Sequence, residues 1–140
     1  MAHIIRDVGV AVRIGAYSDA IEVAPNARWL FTAGTPGLSP DGNLPGDIVG
    51  QAEIAWANIV GILAQADMDV HDLVKVTHYL VRPSDIPAYV QVRSRFLGDA
   101  RPASMLLIVP QLVRPEFLLE IEASAAKMVS RARINPWAWD

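Results

Sequence analysis

Residues 101–125 constrain the fold more than any other part of the chain. Met105, Leu106, Leu107, Ile108 and Val109 form an unbroken apolar run, followed by a more polar stretch with Gln111, Arg114, Pro115 and Glu116. Residues 117–123 then alternate, with Leu119, Ile121 and Ala123 on one side and Leu118, Glu120 and Glu122 on the other. Strand side chains point to opposite faces in turn, so this segment is a strand with one apolar and one acidic face. The continuous run predicts a strand buried on both faces.

The rest of the chain supplies a layer to cover these strands. Residues 17–23 and 29–34 read as strands joined by a turn at Pro25, Asn26 and Ala27. Pro36, Gly37, Pro40, Gly42, Pro45 and Gly46 mark a long loop. Loops of this length in small domains either carry function or connect elements. Asp47 is placed to N-cap a helix in which Ile48, Gln51, Ala52, Ala55, Ile59, Ile62, Leu63 and Ala66 recur at helical spacing. That helix breaks at residues 67–69. Residues 73–81 alternate as a strand, with Val74, Val76, His78 and Leu80 facing one way. Ser84 or Asp85 caps a second helix with Pro87 in its first turn, and Gly98 sits where a terminating glycine belongs. The predicted order is strand, strand, helix, strand, helix, strand, strand, an α+β domain with a mostly antiparallel sheet. Two helices cover only one sheet face, so the other face calls for a second copy of the chain.

Composition agrees with this. Hydrophobic residues make up 52% of 140 residues and charged residues 19%, which suits a sizeable core and a partly covered apolar surface. The formal net charge is −3, with no basic run, which disfavours nucleic acid as a main partner. The sequence has no cysteine, which excludes disulfides, thiolate catalysis and Cys-zinc sites. No long apolar region follows the N-terminus and residues 54–64 are too short to cross a bilayer, so the expectation is a cytoplasmic protein with no membrane role. The domain is assigned to residues 1–128. Residues 129–140, with Trp137 and Trp139, form a C-terminal extension that reads as docking on a neighbour.

The titratable residues leave alternatives open. Glu120 and Glu122 share a strand face, and partial burial would raise at least one pKa and make a proton shuttle. The competing reading is two solvated acids, or one paired with Arg114 or Lys75. His78 lies among apolar neighbours and reads first as a packed, hydrogen-bonded histidine. His3 and His71 read as exposed. Three scattered histidines give no metal spacing, so no metal is expected. No phosphate-cradling glycine motif or nucleophile elbow occurs, and residues 34–37 read as a turn.

Arg101-Pro102-Ala103-Ser104, the apolar strand, Gln111-Leu112, Arg114-Pro115-Glu116 and Leu119-Glu120-Ile121-Glu122-Ala123 resemble the C-terminal signature of the Rid/YjgF (reactive intermediate deaminase) family. Weaker support comes from Ile14-Gly15-Ala16-Tyr17, Phe31-Thr32-Ala33-Gly34 and Val74-Lys75-Val76-Thr77. The resemblance covers residues 13–127. It implies a chorismate-mutase-like α+β fold and a homotrimeric barrel with sites in clefts between subunits. It also implies cofactor-independent hydrolysis of small enamines and imines, with ribonuclease or translation-inhibiting relatives as a less favoured parallel. A non-catalytic trimeric binder of a small metabolite is the alternative.

By this resemblance Glu120 positions or activates the water and Tyr17 lines the cleft. Gly34 and Thr35 lie where backbone N–H groups approach the ligand. Val90, Arg93, Ser104 and Met105 complete the substrate-binding set. Deaminating members carry an arginine directly after Pro-Ala, and here that position is Ser104. Losing such a buried charge-assisted pair costs about 2–5 kcal/mol of binding. Val90 likewise stands where the family has a cleft asparagine. Both changes point to a less polar pocket or a neutral ligand. Arg93, one helical turn from Tyr89, is placed by its position alone as a substitute cation, with a solvent-facing arginine as the competing reading.

Overall fold

A computed structural model describes residues 3–129. The predicted extension lies outside the described residues beyond Val129. Strand β1 (His3–Arg6) pairs antiparallel with β2 (Ala20–Val23), apart from the main sheet. The main sheet holds β3 (Ala27–Phe31), a two-residue β4 (Thr35–Pro36), β5 (Leu73–Leu80), β6 (Ala103–Ile108) and β7 (Leu119–Met128). Its order is β3-β7-β5-β6, with β4 also on β7. Every pair is antiparallel except β5 and β6, which are parallel because helix α2 (Ile86–Leu97) forms the crossover between them.

Helix α1 (Ile48–Gln65) begins where the sequence predicts, with the Asp47 carboxylate accepting the Gly50 N–H at 3.0 Å. It is long and apolar enough, by length and composition, to span a bilayer. Its stripe of Ala52, Ala55, Trp56, Ile59 and Leu63 is wholly buried. That stripe packs with Tyr89 and Val92 of α2 on Val76, Leu80, Leu119 and Ile121 of the sheet. Both helices therefore lie over one face. The other face carries Lys75, Thr77 and Tyr79 of β5 and, by register, Glu122 and Glu120 of β7.

Several local expectations are corrected. The first predicted strand is shorter, because residues 17–19 are drawn elsewhere: Ser18 bridges to Ala103 and the Asp19 carboxylate gathers the N–H groups of Val8, Gly9, Val10 and Ala11. The strand predicted at 29–34 runs from Ala27 to Phe31, and the last strand extends to Met128 because β3 pairs along its second half. Asp85 occupies the N-cap of α2, but its carboxylate is held by Arg82 at 2.8 Å and caps no backbone N–H. The apolar run 105–109 is not buried on both faces in the chain. β6 is an edge strand, and Met105 is 55% exposed. His3 is half-buried and its Nε2 donates to the Asp72 carbonyl at 3.0 Å; His71 is exposed, as read.

The long loop is fixed by α1. Gln51, fully buried, donates to the carbonyls of Pro45 and Glu116 and accepts the Leu118 N–H. Asn58 donates to the Leu38 carbonyl at 2.9 Å. Gly37 lies so close to α1 that a Cβ there would sit 2.3 Å from the Gln51 carbonyl oxygen.

Candidate functional site

The site residues read from the sequence fall into two groups on opposite faces of the sheet. On the open face, β7 presents Glu120 opposite Tyr79 and Glu122 opposite Thr77, and β6 presents Met105 opposite Thr77. The loop after β3 brings Gly34 against Glu120. A Cβ on Gly34 would meet Glu120 Oε1 at 2.6 Å, so only glycine leaves that carboxylate its present position. Thr35 pairs with Ile121 on β4 and donates its hydroxyl to the Ala33 carbonyl at 3.1 Å.

Glu120 is half-buried and makes no hydrogen bond or ion pair among the described residues. Burial without a compensating partner disfavours the ionised form, and it pushes the Glu120 pKa up. Glu122 differs: it accepts the Tyr79 hydroxyl at 2.6 Å, and this bond raises the Tyr79 pKa. Neither acid pairs with Arg114 or Lys75. A cavity of about 300 Å³ lies beside Glu122, lined also by Phe31, Thr32, Lys75, Thr77 and Ser124; Glu120 is not part of its lining. Lys75, Thr77 and Tyr79 were not singled out as site residues; alternation placed them on the face of β5 opposite Val76 and His78, and the register with β7 makes that the acidic face.

The second group lies under α2. Ser104 pairs with Val76 on the helix-covered face, and its Oγ is 3.0 Å from Nε2 of the fully buried His78. His78 Nδ1 is hydrogen-bonded to the Tyr89 hydroxyl, itself fully buried on α2. Burial, reinforced by the Arg93 charge, drives the His78 pKa down to about 3, so the ring is neutral. Burial lifts the Tyr89 hydroxyl out of its ordinary range. Arg93 is half-buried with its guanidinium 5.9 Å from the centre of the Tyr89 ring, and it has no anionic partner among the described residues. Val90 is half-buried on the same helix. Tyr89 went unrecognised as a polar partner because helical spacing showed only its apolar role.

Tyr17 stands apart from Glu120. It precedes Ser18, which bridges to Ala103, whereas Glu120 is level with Tyr79 and Leu107. The register separates their backbones within one chain by about 13 Å along the strands and about 14 Å across them. A second cavity, of about 630 Å³, lies between β1–β2 and the turns at Val70–Asp72 and Asp99–Pro102; it holds none of the predicted site residues. Among the described residues no three His, Asp or Glu gather as a metal site.

Comparison with known proteins places this geometry. The family described as Endoribonuclease L-PSP matches residues 10–127. A RutC family protein of Pyrococcus abyssi is 35% identical over 116 residues, covering 81% of this chain and 88% of that protein. The mouse 2-iminobutanoate/2-iminopropanoate deaminase is 31% identical over 133 residues, covering 91% and 96%. A Rid family protein of unknown function from Yersinia pestis has a similar structure, with a TM-score of 0.79 at 27% identity, covering 91% of this chain and 100% of that one. With a family match spanning β2 to β7, the chain belongs to the Rid/YjgF family.

Proposed function

We propose that this protein hydrolyses small reactive enamines or imines, without a cofactor, at clefts between the subunits of a homotrimer. The observation that carries this reading is Glu120, a half-buried carboxylate with a raised pKa, no internal partner and a glycine against it. Hydrolysis of an imine adds water across the C=N bond and then breaks the C–N bond, giving a carbonyl compound and ammonia. Glu120 takes a proton from the attacking water and returns it to the departing nitrogen, a transfer for which a pKa nearer neutrality is suited. A deaminase name on the mouse relative supports the same class of reaction. The proposal places the working protein in the cytoplasm.

A trimer also accounts for the separation of Tyr17 from Glu120, since a neighbouring subunit's Tyr17 could face the Glu120 of this one. Gly34, Thr35 and Met105 form the Glu120 side of the cleft in this reading. Ser104, Val90 and Arg93 lie across the sheet from Glu120 in the same chain, so in this reading a neighbouring subunit's copies form the other side.

Ammonia release from freshly generated 2-aminoacrylate and 2-iminopropanoate tests the proposal. The wild-type protein accelerates release and Glu120→Gln does not. Equal rates for the two proteins would sink the assignment. Ser104 in place of a cation favours a second reading, a trimeric metabolite binder; it predicts no turnover while a stable 2-oxo acid still binds.

A further inference from the structure

The cavity of about 630 Å³ that the proposed reaction leaves unused lies at the end of the sheet where the chain leaves β7. Strand β7 runs antiparallel to β5, and its Ala125 pairs with Leu73, the first residue of β5. Leu73 lines the cavity together with Val70 and Asp72 of the turn before it, and the β1–β2 hairpin supplies Ile4, Ile5 and Ile21. Beyond Ala125 the chain runs on past that turn. The Lys127 ammonium donates to the Asp67 carbonyl at 2.6 Å, and the Val129 N–H donates to the carbonyl of Asn26, between β2 and β3. Val129 is thus tied beside the segments that lead into both walls, about 13 Å along the strand from Ala125.

The cavity is apolar within and acidic at its edge. Ile4 and Ile5 are 42% and 52% exposed, large apolar side chains left uncovered by the described residues. The edge carries Asp72 and Asp99, with Asp69 on the same turn as Asp72. Its cations are engaged locally: His71 bonds Asp99 and Asp69, and Arg101 donates to the carbonyls of Gly98 and Ala100. Residues 130–140, outside the described residues, hold the complement in sequence: Arg131 and Arg133, then Trp137 and Trp139, with Asp140 as the one acid. Trp137 comes eight residues after Val129, a reach of up to about 26–29 Å, well beyond what is needed to come back level with Leu73.

We propose that the C-terminal segment folds back on its own chain, seating Trp137 and Trp139 in this cavity and laying Arg131 and Arg133 along the acidic turn at residues 69–72. An indole buries about 150–250 Å² and its N–H needs an acceptor, which the carboxylates of Asp72 and Asp99 offer at the edge. A tethered segment also outcompetes a free one, because its effective concentration at a nearby site is on the order of millimolar. The docking is independent of the deaminase reading and of the trimer.

Methyl NMR of the full-length protein tests it. Nuclear Overhauser contacts join the indoles of Trp137 and Trp139 to the methyl groups of Ile4, Ile5, Ile21 and Leu73, and ring currents displace those methyl signals. In Trp137→Ala with Trp139→Ala the contacts vanish and the four residues' signals move, while those of Ile59 and Ile121, under the helices, stay. N-acetyltryptophanamide then probes the cavity itself. It returns the signals of the double variant toward their wild-type positions, and it binds the wild-type protein about tenfold or more weakly because the tethered segment competes. The sequence has no cysteine, so Ala138→Cys takes a single nitroxide. A chain that bears the nitroxide broadens its own cavity methyls. Methyl-labelled chains without it, refolded from urea with an excess of nitroxide-bearing chains, stay sharp. Broadening in those untagged chains would assign the cavity to a neighbour's segment and overturn the proposal. Cavity methyls unmoved by the double substitution, or equal probe binding by wild type and variant, would leave the cavity to a small-molecule ligand and overturn it as well.

Discussion

Gly34 and Glu120 act as a pair. Alanine at position 34 would place a methyl group where Glu120 Oε1 now lies, and the flexible carboxylate would have to move. Gly34→Ala is therefore expected to lower turnover markedly while leaving the urea midpoint nearly unchanged. Glu120 itself destabilises the fold when ionised. Its folded pKa is raised, so the native state holds the proton more tightly than the unfolded chain, and stability falls as pH rises through the glutamate range. Glu120→Gln is expected to be more stable than wild type at neutral pH and equal to it below the ordinary glutamate pKa, as read by urea unfolding at both. His78 has the opposite dependence. Its folded pKa of about 3 means that the unfolded chain gains a proton first on acidification, so stability is lost as pH falls below the ordinary histidine range. That loss approaches about 1.4 kcal/mol per pH unit, and His78→Gln should flatten it.

At the scale of elements, α1 anchors the long loop that follows β4. Gln51 satisfies two carbonyls and one N–H in the interior, at residues 45, 116 and 118. Gln51→Leu would strand them, for about 3 kcal/mol of lost stability measured by urea unfolding. The helix was legible from spacing and its Asp47 cap, but Gln51 read only as one more position on the buried stripe. Its role depends on two loops distant in sequence converging on one side chain. The apolar run of β6 was legible as a strand, yet not its place at the sheet edge. Strand order is set by the α2 crossover and by pairing with β5, and neither is a local property of residues 105–109.

For the whole molecule, the open sheet face is unfinished in one chain. Trp29 and Phe31 stack with ring centres 5.8 Å apart while 49% and 73% exposed, and Met105 lies on the same face. Burying these side chains against other subunits would supply a favourable apolar contribution. Sedimentation at three times the chain mass of 15.2 kDa is expected, with Phe31→Asp and Met105→Asp shifting the protein toward monomer. A monomeric wild-type protein would refute the trimer.

The sequence by itself determined the two helices, the alternation of β5 and β7 and the shared face of Glu120 and Glu122, because periodicity and caps are local. The signature around residues 101–123 also pointed to the family that the comparisons establish. Only the tertiary structure decided which residues meet: that Glu120 rests against Gly34, that Ser104 faces His78 and the core, and that Tyr17 lies far from Glu120 along the same chain. These juxtapositions depend on strand order, register and long-range burial. Those are properties of the folded chain as a whole, and no single segment encodes them.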